Sequence, residues 1–313
     1  MLCQGINTVV AQFSNGIGKI KIFAFNGIIN TLVTVLSNIV LLAKFKMGIE
    51  GYLLSILLAN IISIVFIILS VQLWNYIKVP KLKSKLVKEM LNYSIPLIPN
   101  TLMWWIMNVS DRYVITFMVG VAANGLYAVA NKIPTVLYIL NTIFYQSWQH
   151  SAIEESDSKY KSEFYSNVFN LLSVVMLIST SFILTFIRPT VKLLISTEFS
   201  DSWRYVPFLL LAAVFSSFSS FLGTNYIAMK ETKGASKTSV IGATLNMILN
   251  LILVPIMGLN GAAFATALSF AVMWIMRIFD TKKFVIIKIH MKTFILTLFV
   301  IFFQILILYM DYG

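Results

Sequence analysis

The chain has 313 residues, of which 58% are hydrophobic and 12% are charged, and its formal net charge is +12. A soluble globular domain is about 45–50% apolar and about 25% charged, so this chain has too little polar surface to cover a core that faces water. The composition therefore excludes a soluble globular protein and predicts a membrane protein. The one cysteine, Cys3, excludes a disulfide framework or a cysteine metal site within one chain.

Apolar runs of about 20 residues recur along the chain, which is the length that a helix needs to cross the hydrocarbon core of a bilayer. The runs are apolar on all sides rather than alternating, which favours helices over a membrane barrel. The predicted fold class is therefore an all-α polytopic membrane protein with about nine transmembrane helices. Residues 1–13 are apolar but too short to cross, and we interpret them as the end of a helix. In chain order the predicted spans are Ile22–Ala43, Tyr52–Trp74, Pro96–Val119, Gly125–Gln149, Phe164–Ile187, Val206–Met229, Lys237–Met257, Gly261–Phe279 and Lys292–Tyr309.

The basic residues indicate how the helices are oriented. Most of the 24 Lys and Arg residues fall in one alternating set of loops, to which we assign Lys78, Arg277 and Lys283. By the positive-inside rule these loops face the cytoplasm, which predicts a multi-pass protein of the cytoplasmic membrane. The same rule accounts for most of the net charge, so no nucleic-acid partner is expected.

The link KLKSKLVKEMLN, residues 81–92, is predicted to form an amphipathic helix. Its leucine, valine and methionine residues recur at helical spacing with lysines between them, which is typical of a helix that lies on an anionic inner leaflet. Membrane lipids are therefore expected partners, and a solvated basic linker is the alternative interpretation. The lysines concerned are Lys81, Lys83, Lys85 and Lys88.

Two pairs of spans resemble each other. The first and second spans are joined by Gly48–Gly51, and the seventh and eighth by Gly258–Gly261, so both links have a Gly-x-x-Gly pattern. Each pair also has a mid-helix asparagine, Asn38 or Asn250, before the turn. Because both turns lie on the same side of the membrane, the pattern predicts a parallel internal repeat, which is a known plan of transporters.

Three charged residues fall deep inside predicted spans, away from the span ends, where each charge costs about 2.5–3.5 kcal/mol on insertion scales. They are Asp111 and Arg112 in the third span and Lys132 in the fourth. A hairpin turn at residues 121–124 would place Lys132 near the level of the other two, about 15 Å deep. Because adjacent helical residues point in different directions, we expect Asp111 to pair with Lys132 and Arg112 to face a wet cavity.

These charges allow two interpretations. One is a water-filled cavity with a cationic lining that suits phosphate or another anion, with Asp111 as a coupling-ion site for a proton or sodium or as a counter-ion. The other is a buried ion pair, with asparagines that hold the helices together. Catalytic motifs and metal-binding motifs are absent from the sequence, so no enzymatic activity is predicted. No cofactor is predicted apart from a possible coupling proton or sodium ion. The same two spans contain Asn100, Asn108, Asn131 and Asn141, with Pro99 and Pro134 as predicted helix breaks.

Residues 93–134, YSIPLIPNTLMWWIMNVSDRYVITFMVGVAANGLYAVANKIP, resemble the start of the C-terminal half of Wzx-type polysaccharide or O-antigen repeat-unit flippases. Residues 18–55 look similar to the fifth and sixth helices of that family, which belongs to the MOP (multidrug/oligosaccharidyl-lipid/polysaccharide) superfamily. The resemblance implies a MATE-like transporter with two lobes of six helices each around a central cavity. The features that match are Ile95-Pro96, Asp111-Arg112-Tyr113, Gly120, Gly125-Leu126-Tyr127 and Lys132-Ile133-Pro134.

Measured against that family, the chain is expected to be truncated at its N-terminus. Residues 1–74 would be the last two helices of the N-terminal lobe, and residues 75–95 a cytoplasmic amphipathic linker. Residues 96–280 would form a complete C-terminal lobe, and residues 281–313 an additional helix. One lobe cannot enclose a cavity between two lobes, so we expect that the chain does not transport by itself.

The resemblance also implies a function, namely translocation of undecaprenyl-pyrophosphate-linked oligosaccharide repeat units for capsule, O-antigen or exopolysaccharide synthesis. Alternating access of the lobes would move the substrate, and Arg112 and Lys132 would hold its anionic head group. Polysaccharide polymerase and glycosyltransferases would be candidate partners. The alternatives are a multidrug or ion antiporter of the same superfamily and a non-transporting membrane assembly subunit.

Overall fold

The computed structural model describes residues 2–76 and 84–310, and these ranges are almost entirely helical, without a strand. Seven helical segments within them are long and apolar enough to cross a membrane. The prediction of an all-α polytopic membrane protein is therefore confirmed. The chain divides into two compact units, Met1–Lys83 and Ser84–Gly313. The finer limits expected at residues 74, 95 and 280 stay predictions.

The first unit is held together by neutral side-chain amides as well as by apolar packing. The Asn7 side chain donates a hydrogen bond to Asn60 at 3.1 Å and accepts one from Asn26 at 3.4 Å, which joins three helices at one point. Such bonds between membrane helices contribute about 0.6 kcal/mol each on average. The helices of this unit are α1 (Leu2–Gly16), α2 (Ile20–Asn38), which continues as a π-helical segment (Ile39–Lys44), and α3 (Gly48–Val71).

The second unit contains the remaining predicted spans. The fourth predicted span is two helices rather than one, because the chain turns at residues 131–134. Neither α5 nor the α6–α7 pair is among the seven candidate membrane spans, and these helices contain the charged residues of the third and fourth predicted spans. The helices are α4 (Ser84–Ser94), α5 (Leu97–Met118), α6 (Val121–Ala130), α7 (Thr135–Glu154), α8 (Lys161–Leu194), α9 (Val206–Ala228), α10 (Thr232–Met257), α11 (Leu259–Thr281) and α12 (Met291–Met310), with a 3₁₀ segment at Thr197–Tyr205.

Helix α9 lies at the centre of this unit, and an aromatic cluster surrounds its inner half. The Trp148 ring on α7 stacks on Phe221 of α9 with ring centroids 4.3 Å apart. Phe169 of α8 contacts the same ring at 5.3 Å. Aromatic pairs of this kind contribute about 0.5–1.5 kcal/mol beyond their burial. The cluster fixes α7, α8 and α9 relative to one another.

The residues between α11 and α12 lie along α8. Ser166 accepts a hydrogen bond from the Lys288 amide at 2.8 Å, and Asn170 accepts one from the His290 amide at 3.0 Å. Asn170 also donates to the Lys288 carbonyl at 2.9 Å. These bonds satisfy backbone groups that have no helical partner, so this link is a fixed part of the unit.

Helix α4 covers the described part of the predicted amphipathic link. Its Lys85 and Lys88 side chains are exposed, and so are apolar residues such as Met90. Lys81 and Lys83 lie outside the described residues. The Thr232 hydroxyl donates to the Tyr93 carbonyl at 2.8 Å, which ties the end of α4 to the start of α10.

The two Gly-x-x-Gly turns have the same construction, as the predicted repeat requires. Gly48 and Gly258 have φ of 57° and 58°, a left-handed conformation that favours glycine. In each turn the second glycine packs against the preceding helix. A Cβ at Gly51 would lie 3.3 Å from the Leu41 carbonyl, and one at Gly261 would overlap the Leu253 carbonyl.

Gly261→Ala is expected to destabilise the protein by about 1–3 kcal/mol, because the added methyl group must push α10 away from α11. Gly125→Ala is the matched control, since a Cβ there has no neighbour closer than 4.0 Å and the helix gains up to about 1 kcal/mol from alanine. Thermal unfolding in detergent should show a lower midpoint for the first variant only. Equal midpoints for both variants would contradict the close packing at this turn.

Candidate functional site

Asp111 is a buried carboxylate on α5, with 4% of its surface exposed. Its Oδ2 accepts a hydrogen bond from the Tyr127 hydroxyl at 2.6 Å, and its Oδ1 accepts one from the Arg112 amide at 3.0 Å. Tyr127 itself is fully buried on α6. Both carboxylate oxygens therefore have a donor, and the Asp111–Tyr127 bond joins the two arms of the α5–α6 hairpin.

The expected ion pair between Asp111 and Lys132 is not formed among the described residues, so that prediction is wrong. The hairpin turn is at residues 119–120 rather than at 121–124, and Gly120 adopts a φ of 121° there. The earlier turn brings Tyr127 rather than Lys132 within reach of Asp111. Lys132 also lies beyond the end of α6, in the turn before α7, with an exposed side chain.

Arg112 and Lys132 are the exposed cations of this region. Within residues 2–76 and 84–310, neither side chain makes a hydrogen bond or an ion pair. Arg112 is eight residues from the turn at Gly120, which corresponds to a depth of about 12 Å along α5. Contact of such a charge with lipid tails costs about 2.5–3.5 kcal/mol on insertion scales, so this face of α5 favours water or a polar ligand.

The predicted cavity asparagines do not converge on one point. Asn100 accepts a hydrogen bond from Ser239 of α10 at 2.7 Å, and Asn141 accepts one from Ser217 of α9 at 2.5 Å. These two residues join helices. Asn108 and Asn131 instead donate to carbonyls of the preceding turn at 2.7 and 2.9 Å. The interpretation of asparagines as links between helices therefore fits Asn100 and Asn141.

The two prolines differ in their effect. Pro134 immediately precedes α7 at the junction with α6, where the chain breaks as expected. Pro99 lies in the first turn of α5, where a missing backbone N–H removes no helical bond. The predicted interruption of the helix at Pro99 is therefore wrong.

Next to Asp111, a series of hydrogen-bonded polar side chains connects α5, α10 and α11. Ser110 donates to Asn246 of α10 at 3.0 Å, and Asn246 donates to Thr266 of α11 at 3.1 Å. Asn250, one turn further along α10, donates to Asn246 at 3.2 Å. These bonds pair the amide nitrogen of the mid-helix Asn250 inside the bundle, where hydrogen bonds between polar side chains join membrane helices.

Sequence reasoning missed Arg277, which we assigned to a cytoplasmic loop. The structure places it inside α11 with 2% of its surface exposed. Its guanidinium donates to Thr238 at 3.0 Å, to the Ser219 carbonyl at 2.7 Å, and to Ser239 at 2.9 Å. These contacts join α9, α10 and α11. The sequence could have predicted this burial, because Arg277 falls within the predicted span Gly261–Phe279.

The partners of Arg277 are neutral. The nearby carboxylate of Asp280 accepts from the Tyr226 hydroxyl at 2.6 Å and lies 3.8 Å from Lys283. Among the described residues, no carboxylate forms an ion pair with Arg277. A buried charge costs several kcal/mol unless it is compensated, so this guanidinium is a second candidate for anion binding.

Metal binding has no support in the described parts of the chain, where no three His, Cys, Asp or Glu residues cluster to hold a metal ion.

The chain is similar to known proteins of polysaccharide and glycan biosynthesis. Residues 1–148 match a family model described as polysaccharide biosynthesis protein. A probable low-salt glycan biosynthesis flippase of Haloferax volcanii is 27% identical over 220 residues, which cover 68% of this chain and 45% of that protein. An uncharacterized membrane protein of Methanocaldococcus jannaschii is 25% identical over 270 residues, which cover 80% of this chain and 53% of that protein. The chain thus spans about half the length of these relatives.

Solved structures show the fold. An outward-facing multidrug resistance MATE family transporter of the MOP superfamily superposes with a TM-score of 0.76 and 13% identity, over 88% of this chain and 65% of that chain. A mutant of the Vibrio cholerae MATE transporter VcmN gives a TM-score of 0.73 and 10% identity, over 84% and 63% of the two chains. The predicted MATE-like fold is confirmed.

Tyr127→Phe is expected to destabilise the protein by about 1–3 kcal/mol, because it leaves a buried carboxylate oxygen without its donor. Tyr113→Phe is the matched control on α5, since Tyr113 is 67% exposed. The midpoint of thermal unfolding in detergent should fall only in the first variant. An unchanged midpoint for Tyr127→Phe would show that the Asp111–Tyr127 bond does not hold the hairpin together.

Proposed function

We propose that this chain is a flippase-type protein of polysaccharide biosynthesis and that it takes part in moving lipid-linked oligosaccharide repeat units across the cytoplasmic membrane. The substrate would be carried on a polyprenyl diphosphate, for capsule, O-antigen or exopolysaccharide synthesis. The MATE-like fold supports alternating access as the mechanism. Chemistry on the sugar would belong to other proteins, such as glycosyltransferases and a polymerase.

The observation that carries this proposal is the pair of exposed cations, Arg112 and Lys132. Arginine presents a planar fork of donors that matches phosphate oxygens, and lysine adds a mobile positive charge. Both side chains stay available because neutral groups satisfy the polar atoms around them. In our proposal the diphosphate head group binds these two residues while its lipid tail remains in the bilayer.

In the proposed mechanism Asp111 is not the ion-pair partner of Lys132. Its carboxylate is buried and accepts hydrogen bonds from the Tyr127 hydroxyl and the Arg112 amide. It therefore serves as a counter-charge that orients the α5–α6 hairpin, and it is also the proposed place for a coupling proton or sodium ion. A cation antiporter of the same superfamily would use this same carboxylate, so Asp111 is the feature that favours that second candidate function.

The amphipathic helix α4 is proposed to lie on the inner leaflet. Its exposed Lys85 and Lys88 can contact anionic head groups, at about 1 kcal/mol for each basic residue near the surface. Met90 and other exposed apolar side chains can enter the interfacial region. The lipid surface would thereby hold the start of α5 at a fixed depth.

Arg112→Ala together with Lys132→Ala is expected to reduce outer-leaflet delivery of the lipid-linked saccharide at least ten-fold, because two charge-assisted contacts to the diphosphate are lost. The substitutions are introduced into the native gene, and saccharide accessible at the cell surface is measured while protein level in the membrane is checked by immunoblot. Lys292→Ala is the control, since it removes an exposed cation at the start of α12.

Normal delivery by the double variant would contradict the proposed function. An Asp111→Asn variant separates the two candidate functions. If delivery persists in that variant but an imposed proton or sodium gradient no longer stimulates it, Asp111 is a coupling site within a flippase. If the chain exports a cationic drug and does so only with Asp111 intact, the antiporter replaces the flippase.

A further inference from the structure

A chamber of about 240 Å³ lies beside Arg277, and the function proposed above gives it no role. It is lined by the first turns of α5 and by the inner parts of α7, α9, α10 and α11. Since a water molecule occupies about 30 Å³ in the liquid, the chamber has room for a diphosphate group together with water. Its lining includes Asn100, Thr101, Trp104, Tyr145 and Gly223 as well as Arg277.

The Arg277 guanidinium has a donor left for a ligand. Its bonds to Thr238, Ser219, Ser239 and the Ala235 carbonyl use Nε, Nη2 and one N–H of Nη1. Within the described residues, the second N–H of Nη1 has no acceptor. A guanidinium carries five N–H donors in a fixed fork, so this last donor can address an oxygen in the chamber.

Gly223 makes that donor accessible. A Cβ at this position would lie 2.6 Å from Nη1 of Arg277. Any other residue would therefore displace the guanidinium or cover the nitrogen on the chamber side. The absence of a side chain at Gly223 leaves the positive group in contact with the cavity.

The charge of Arg277 also lacks an anionic partner in the described chain. The aromatic rings of Trp104 and Tyr226 lie 5.7 and 5.9 Å from its guanidinium carbon and compensate the charge only in part. Asp280 is held by Tyr226 and Lys283 instead. An anion in the chamber would supply the missing negative charge.

The chamber has a neighbouring cavity on the side of the membrane that we assign to the cytoplasm. A second cavity, of about 740 Å³, lies between α4 and the turn from α9 to α10, and Ile227 lines both cavities. Lys230 and Lys233 line this outer space, together with Glu89 and Glu231. From the level of Asn100 to Arg112, α5 rises about 18 Å. The chamber and the exposed cations are therefore successive positions along one helix.

We propose that the chamber beside Arg277 is an inner oxyanion site that binds a phosphate-class group before that group reaches Arg112 and Lys132. The site itself follows from the geometry of Arg277, whereas its place in a transport sequence rests on the proposed function. Phosphate oxygens are the acceptors that match the remaining guanidinium donor and the neutral donors around it.

The test is a calorimetric titration of the purified chain with inorganic pyrophosphate, in nanodiscs of phosphatidylcholine. Every protein carries Arg112→Ala and Lys132→Ala, so that the outer cations do not contribute. Saturable binding with one pyrophosphate per chain is expected. Arg277→Gln should weaken it about ten-fold or more, because a charge-assisted contact is removed. Lys282→Gln, which removes an exposed charge close by on the chain, should change it less than about two-fold.

Equal affinity with and without Arg277→Gln would overturn the proposal, and so would equal losses in the Arg277 and Lys282 variants. If Arg277→Gln does not fold, Thr101→Leu replaces it, because a leucine there fills the chamber and leaves every hydrogen bond of Arg277 in place. Unchanged binding by Thr101→Leu would then overturn the inner site.

Two competition experiments identify the source of the phosphate group. Displacement of pyrophosphate by farnesyl diphosphate, but not by phosphatidylglycerol in the nanodisc, assigns the site to an isoprenyl diphosphate. Displacement by phosphatidylglycerol assigns it to a phospholipid head group. Arg277-dependent pyrophosphate binding in a chain whose Arg112 and Lys132 variants still deliver saccharide normally would leave the inner site standing while the proposed function fails.

Discussion

The hydrogen bonds of one buried guanidinium determine how the second unit is assembled. Arg277 binds Ser219 on α9, Thr238 and Ser239 on α10, and lies within α11 itself. Three helices thus meet at a single charged group in the inner half of the protein. Because a membrane interior offers no water to an unpaired donor, these contacts must form together or the charge cannot be buried. The same group then determines the shape and the positive charge of the inner chamber.

In the first helices of this unit the buried charge is negative. Asp111 is the buried charge there, and the Tyr127 hydroxyl and a backbone amide satisfy it. Since a neutral group binds the carboxylate, the cations Arg112 and Lys132 are left without an ion-pair partner among the described residues. Arg277 is therefore a buried cation and Arg112 and Lys132 are exposed cations, and each can compensate an anion that the described residues do not provide. These three cations support the proposal of an anionic substrate.

The sequence predicted much of this arrangement because bilayer physics leaves few choices. Runs of apolar residues indicated the helices, and the glycine pattern indicated the two tight turns at Gly48 and Gly258. The pairing of Asp111 could not be predicted, because a shift of the hairpin turn by a few residues exchanges Lys132 for Tyr127. Arg277 was assigned to a cytoplasmic loop because it lies near the end of a predicted span and was grouped with the basic residues that set orientation. Only the packing of α9 against α10 and α11 shows that its acceptors are inside the bundle.

The most direct test of the central claim, that these cations hold an anionic lipid-linked substrate, is native mass spectrometry of the protein released from its own membranes. An adduct with the mass of a polyprenyl diphosphate that carries a saccharide is expected. This adduct should be lost from the protein with Arg112→Ala and Lys132→Ala, while bulk phospholipid adducts remain. Phospholipid adducts alone, or a diphosphate adduct that survives removal of both cations, would contradict that claim.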